Sequence, residues 1–135
     1  MANDAAEALE DIEPDLKTRP EVIAVRVGIY EFLKRWEEMA MMAKLLVKML
    51  PDDPKWWIKL AAGTRRHKSI EAAAEILLQA ELKHPKDATI QYNLACCCCR
   101  LGKTEEAKHK LGTAISLNTE LRKLAVDDPD LVELF

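Results

Sequence analysis

A repeat of 34 residues is the feature of this sequence that most restricts its fold. Identical residues recur at this spacing at several positions between 53 and 114. These pairs are Asp53/Asp87, Leu60/Leu94, Ala61/Ala95, Ala73/Ala107, Leu77/Leu111 and Ala80/Ala114. A fixed period of this length is typical of stacked supersecondary units, each of which buries its apolar side against its neighbours. We therefore expect a repeat protein rather than one closed core.

The composition favours helices and a soluble, cytoplasmic protein. The chain has 135 residues, of which 49% are hydrophobic and 32% charged, with only 4 Gly and 6 Pro. No stretch approaches the roughly 20 apolar residues that a membrane-spanning helix needs. Residues 1–15 carry acidic side chains and no basic one, which is the opposite of a secretory signal. We expect no contact with a membrane.

Charge is distributed unevenly along the chain. Residues 1–15 and 127–135 contain acidic residues and neither Lys nor Arg, so all 20 basic residues lie in between. A basic centre attracts acidic partners, although the same charges also suit solvated helix faces. Because no run of Lys and Arg is longer than two residues, we do not expect nucleic-acid binding.

Capping residues divide the repeats into helix pairs. In the third repeat Asp87 is a favourable N-cap, and Gly102 suits the left-handed residue that follows a helix. Thr104 is expected to cap the second helix of that pair, as Ser69 does in the repeat before. Lys68 stands where the third repeat has glycine, so we expect either a strained residue there or a different turn.

These signals predict one domain over residues 1–135. Its parts are an N-terminal capping half-repeat at 3–19, repeats at 20–53, 54–87 and 88–119, and a C-terminal cap at 120–135. Thr119 stands where the earlier repeats have Pro51 and Pro85, so the last repeat helix is expected to run on through Leu124. Asp128 then opens a short final segment.

The second repeat resembles the tetratricopeptide repeat, whose pattern is W-x2-L-G-x2-Y, then A-x3-F, then P. The matching residues are Trp57, Leu60, Ala61, Ala73, Leu77 and Pro85. The third repeat departs from the pattern at Gln91, Cys98 and Thr119. Residues 92–96 and 127–131 look like small bacterial members of the family. The resemblance implies an all-α fold, a right-handed superhelix of antiparallel helix pairs (an α-solenoid) with capping helices at both ends.

The resemblance also implies a binding function. In such proteins the first helix of each pair lines a concave groove that holds a peptide or a helix, so we expect a scaffold or adaptor. The corresponding positions are Lys55, Ile58, Ala62, Arg65, Arg66, Thr89, Tyr92, Asn93, Cys96, Cys99 and Arg100. Guanidinium groups bind carboxylates through paired hydrogen bonds, so the three arginines indicate an acidic partner. The alternative is that they are solvated residues near helix ends, where positive charge is favoured.

Nothing in the sequence indicates catalysis. His67, His84 and His109 fall at turns or exposed helix positions, without a nucleophile in a triad-like pattern. There is also no glycine-rich phosphate loop. We expect a protein that is not an enzyme and that needs no cofactor or metal.

The most unusual residues are four consecutive cysteines, Cys96 to Cys99. Neighbouring cysteines make poor disulfides, so we interpret them as reduced thiols that pack as small apolar side chains. Cys98 is expected to face the core. The alternative function is a thiol-based metal or redox module centred on this cluster, because Cys96 and Cys99 share a helix face.

The acidic tail allows two interpretations. Residues 127–135 alternate acidic and apolar side chains. Such a segment either caps the domain within its own chain or binds the arginine-bearing groove of a second copy. We favour the cap and keep self-association through the tail as the alternative.

Overall fold

The computed structural model describes residues 18–135, which form seven α-helices and one 3₁₀ helix. They are α1 (Pro20–Phe32), α2 (Trp36–Met49), α3 (Pro54–His67), α4 (Ile70–Lys83), α5 (Ala88–Arg100), α6 (Thr104–Leu117), α7 (Leu121–Val126) and the 3₁₀ helix Pro129–Leu134. No strand occurs in this range, so the all-α prediction is confirmed. Among residues 18–135, no helix has the length and the hydropathy of a membrane span.

Side-chain caps begin three of the helices, two of them, at Ser69 and Asp87, where the sequence predicted. Asp53, Ser69 and Asp87 each accept a hydrogen bond from a backbone N–H two or three residues later, at 2.9–3.1 Å. The predicted cap at Thr104 is wrong, because Thr104 is the first residue of α6. Lys103 precedes it and makes no capping bond through its side chain.

The chain forms two compact units, divided between Lys68 and Ser69. In the first unit, α2 packs against both α1 and α3. In the second, α5 packs against α4, α6 and the 3₁₀ helix. The division falls inside the predicted second repeat, 54–87, so the two helices of that repeat belong to different units.

The core of the first unit comes from all three of its helices. Its buried residues are Ile23, Val27, Tyr30, Met39, Ala43, Leu46 and Trp56. Gly63 allows α3 to approach α2 closely: a Cβ at this position would lie 3.0 Å from the carbonyl oxygen of Trp36 and 3.1 Å from the Cβ of Ala40. The small residues Gly63 and Ala40 therefore set the spacing of these two helices.

The core of the second unit joins the last repeat to the C-terminal segment. Its buried residues are Tyr92, Ala95, Cys96, Cys99, Ala107, Leu111, Ala114, Ala125 and Leu131. The last two come from α7 and the 3₁₀ helix. The C-terminal segment is therefore part of this core, as expected of an intramolecular cap.

The expectation of a continuous helix past Leu117 is wrong. Asn118 adopts an extended backbone (φ −148°, ψ 101°) and ends α6. Its side-chain oxygen accepts a hydrogen bond from the N–H of Glu120 at 3.1 Å, which closes a local turn before α7. At the other end of the chain, the predicted half-repeat at 3–19 lies outside the described residues, except for its last two positions.

Candidate functional site

The predicted groove residues lie on two helices that belong to different units. On α3 they are Lys55, Ile58, Ala62, Arg65 and Arg66. On α5 they are Thr89, Tyr92, Asn93, Cys96, Cys99 and Arg100. The two sets differ sharply in exposure, since the first is largely open to solvent and the centre of the second is buried.

The α3 residues form an open, cationic face. Lys55, Ala62 and Arg66 are exposed, and Ile58 and Arg65 are half-buried. Their spacing of three or four residues places them along one side of the helix. This side therefore has a small apolar centre, Ile58 and Ala62, between positive charges at both ends.

Two of these cations lie over aromatic rings of their own unit. The Arg66 guanidinium is 5.1 Å from the ring centroid of Trp36, and the Lys55 ammonium is 5.1 Å from that of Trp56. A cation–π contact restrains a side chain without neutralising its charge. Both charges are thus held in place and stay available to a carboxylate.

The corresponding face of α5 is closed. Tyr92, Cys96 and Cys99 are only 4–6% exposed, because they pack in one core with Ala125 and Leu131. The expectation that these three side chains line an open groove is therefore wrong for this structure. The C-terminal segment was expected to be a cap, but its packing over these three positions was not predicted.

A partly buried hydrogen bond joins α5 to the start of the 3₁₀ helix. The Tyr92 hydroxyl donates to one carboxylate oxygen of Asp128 at 2.6 Å, and the N–H of Asp130 donates to the other at 2.9 Å. Burial raises the pKa of the Tyr92 hydroxyl far above its ordinary value, and the bond to Asp128 raises it further. Tyr92 therefore remains a neutral donor at any physiological pH.

The other predicted α5 residues surround this closed area. Thr89 and Arg100 are exposed and Asn93 is half-buried. Thr89 lies in the first turn of the helix and Arg100 at its last residue, where positive charge is favourable. Without displacement of the C-terminal segment, these are the α5 positions that a partner can reach.

The four thiols all lie in the described range, and none forms a disulfide. Cys97 is buried together with Cys96 and Cys99, whereas Cys98 is half-buried against the core. Burial raises the pKa of the Cys98 thiol, and the nearby charge of Glu106 adds to this effect. The Cys98 thiol is therefore protonated at neutral pH.

Cys96 lies beside two carboxylates rather than in a thiol pair. Its sulfur and one oxygen each from Asp128 and Asp130 lie within 4.8 Å of one another. Thiolate and carboxylate groups are both ligands of zinc. Cys99 does not belong to this group. No sequence pattern indicated the two aspartates, because about thirty residues separate them from Cys96.

A second polar contact went unnoticed in the sequence. Gln91, which stands where the repeat pattern has tryptophan, is 3% exposed and donates from its side-chain amide to Glu81 at 2.7 Å. Glu81 also forms an ion pair with Lys110. Burial acts to raise the pKa of the Glu81 carboxyl, but the hydrogen bonds from Lys110 and Gln91 outweigh it and lower that pKa below its ordinary value. The contact joins three helices, α4, α5 and α6.

This chain resembles known proteins in its structure, but the sequence comparisons found no match. No protein-family model and no curated protein matches the sequence. The structure is similar to a crystal structure of MamA, a tetratricopeptide-repeat protein, with a TM-score of 0.79 and 14% identity over 96% of this chain and 74% of that one. For the structure of MamA MSR-1 C2 the TM-score is 0.74, with 16% identity over 88% of this chain and 68% of that one. The chain therefore has the α-solenoid fold of the tetratricopeptide-repeat family, as the sequence resemblance implied.

Proposed function

We propose that this protein is a non-catalytic interaction module that binds an acidic peptide or helix of another protein. Repeat folds of this kind generally serve as binding scaffolds. The observation that carries the proposal is the open face of α3, where Lys55 and Arg66 are held over aromatic rings on either side of Ile58. An acidic segment is the partner that this combination of charge and apolar surface fits best.

In this proposal Arg65 and Arg66 engage carboxylates of the partner, and Ile58 and Ala62 contact its apolar side chains. Ion pairs at exposed sites contribute only about 0.2–1 kcal/mol each, so several must act together. We therefore expect micromolar rather than nanomolar affinity and a clear weakening as salt is added. In the second unit, taken by itself, we propose Thr89, Asn93 and Arg100 as contact positions on α5, whereas Tyr92 takes part only if the C-terminal segment moves away.

A peptide-display selection on the purified protein tests this function. We expect the selected peptides to be enriched in Asp and Glu, and to lose binding when Arg65→Glu and Arg66→Glu are combined. The matched control combines Lys44→Glu and Lys48→Glu, which make the same change of charge on exposed positions of α2. If the selected peptides still bind the arginine variant at moderate salt, the assignment of the α3 face is wrong.

One observation favours the alternative of a metal module, although with a different centre from the one the sequence suggested. We propose, as the second candidate, that Cys96, Asp128 and Asp130 hold a zinc-class cation, with Cys96 losing its proton on binding. Titration with Co²⁺ would then produce a thiolate-to-metal absorption band that Cys96→Ser abolishes and Cys99→Ser leaves intact. A purified protein that contains no zinc and shows no such band would reject this candidate.

A further inference from the structure

The 3₁₀ helix of the C-terminal segment packs against α5. Asp128 and Leu131 are three residues apart, so they lie on the same side of the 3₁₀ turn. Asp128 accepts the hydroxyl proton of Tyr92, and Leu131 is fully buried among the α5 and α6 side chains. Val132 and Phe135, in contrast, are 62% and 70% exposed. This face of α5 therefore binds an acidic residue, Asp128, and a leucine three positions later, Leu131, from its own chain.

The two elements that cover this face of α5, α7 and the 3₁₀ helix, are also much shorter than the other helices. α7 and the 3₁₀ helix have six residues each, whereas α1 to α6 have 13 or 14. On α7, Leu124 and Val126 are more than half exposed, whereas Ala125 is buried in the core and Leu121 packs against it. Leu134 of the 3₁₀ helix is half-buried against the same core. The segment that covers α5 is thus short and exposed on its outer side, and another segment of matching chemistry can replace it.

We propose that the face of α5 made of Tyr92, Cys96 and Cys99 is a second peptide-binding surface. Its ligand is a segment of a partner protein that carries an aspartate three residues before a leucine, within a capped 3₁₀ turn. Residues 127–135 occupy this surface when the partner is absent. The proposal extends the proposed function to a second site, and it does not depend on the charges of α3.

Tethering determines how such a partner must compete. A segment linked by a short chain has an effective local concentration in the millimolar range, so a free peptide of the same sequence binds the intact protein weakly. Substitutions that weaken the binding of the tethered segment to α5 reduce its competition with the free peptide. The affinity of the free peptide should then rise by about tenfold or more.

A fluorescein-labelled peptide of residues 126–135 tests the proposal by fluorescence anisotropy. The proteins are the full chain and a full chain with Asp128→Asn and Leu131→Ala, which weaken its own segment. We expect tighter binding to the weakened chain, and a loss when Tyr92→Phe is added. A control peptide carrying the same two replacements should not bind. Both proteins also carry Arg65→Glu and Arg66→Glu, so that the acidic peptide does not bind through the α3 face and failure here is separate from failure at α3.

A measurement on the unaltered chain covers the case in which the weakened chain does not fold. Unlabelled peptide at about 1 mM, the effective concentration of a short tether, should shift the amide signals of Asp130 and Leu131 in an NMR spectrum of labelled protein. Unchanged signals, or no binding to a folded weakened chain, would overturn the proposal. A dimer that forms at high concentration and is lost with Tyr92→Phe would show that the tail of a second copy binds this surface. That result would overturn the proposal that the ligand is a different protein.

Discussion

Lys34 and Gly102 lie two repeat periods apart and share a left-handed backbone, with φ of 58° and 80°. In both turns the N–H of the next residue donates to the carbonyl five residues before it, at 2.8 Å. This closure satisfies a carbonyl at the end of the preceding helix. The repeat therefore reproduces its turn geometry even where glycine is absent.

Lys68 stands between them in the repeat and behaves differently. Its φ of −122° and ψ of −88° lie outside the left-handed region, and its N–H donates to the carbonyl of Thr64 at 2.9 Å. Of the two possibilities that the sequence left open, a strained residue or a different turn, the structure has the different turn. The division between the two compact units comes directly after it.

Lys34→Gly should stabilise the protein. A left-handed residue other than glycine costs about 1–2 kcal/mol, and glycine loses about 0.5–1 kcal/mol through its greater freedom in the unfolded chain. We expect a net gain of about 0.5–1 kcal/mol, seen as a melting temperature a few degrees higher by circular dichroism. Lys44→Gly, inside α2, is the control and should lose about 1 kcal/mol. Equal losses in both variants would contradict this account of the turn.

Gly63→Ala should lower the melting temperature, whereas Gly28→Ala should raise it. Both glycines lie inside helices of the first unit, where alanine is favoured by about 1 kcal/mol. A Cβ at Gly28 meets nothing within 4 Å, but a Cβ at Gly63 lies 3.0 Å from the backbone oxygen of Trp36. Pushing α2 and α3 apart costs about 1–3 kcal/mol, which exceeds the gain. Similar melting temperatures for the two variants would show that the helices separate freely.

Glu81 should make stability depend on pH in the acid range. Its pKa is lower in the folded chain than its ordinary value of 4.5, so the folded state holds the carboxylate more strongly than the unfolded state does. The resulting stabilisation is fully present above pH 4.5 and is lost as pH falls through the lower, folded pKa. Glu81→Gln should therefore cost about 1–2 kcal/mol at neutral pH and progressively less in acid.

Urea unfolding at neutral and acid pH measures this dependence. Glu75→Gln is the matched control, since Glu75 is an exposed residue of the same helix. We expect it to change stability little at either pH. A loss in the Glu81 variant that stays constant down to about pH 2.5 would mean that ionisation is not its cause.

Tyr92 and Asp128 should be coupled in stability. Tyr92→Phe leaves a half-buried carboxylate without its hydroxyl donor, and we expect a cost of about 1–3 kcal/mol. A double-mutant cycle with Asp128→Asn, followed by urea unfolding, should give a coupling energy of about 1 kcal/mol. Asp127→Asn is the control, because Asp127 is exposed and should show no coupling with Tyr92. Additive losses for Tyr92 and Asp128 would contradict the importance of their bond.

Particular residues show where sequence reasoning succeeded and failed. The starts of α3, α4 and α5 were predictable, because Asp53, Ser69 and Asp87 act on N–H groups two or three residues away. The end of α6 was not predicted, although its signal was local, since Asn118 closes a turn with its own side chain. Gln91 was recognised only as a departure from the pattern, because its partner Glu81 lies on another helix.

The period and the caps therefore established the helical repeats, since both depend on residues close together in the chain. The tertiary structure alone decided which parts of the expected groove are open. Tyr92 has the right position for an inner surface, but Asp128, 36 residues later, and Leu131 cover it. Burial depends on what packs against a helix face from elsewhere in the chain, and a helical pattern shows only which side chains share that face.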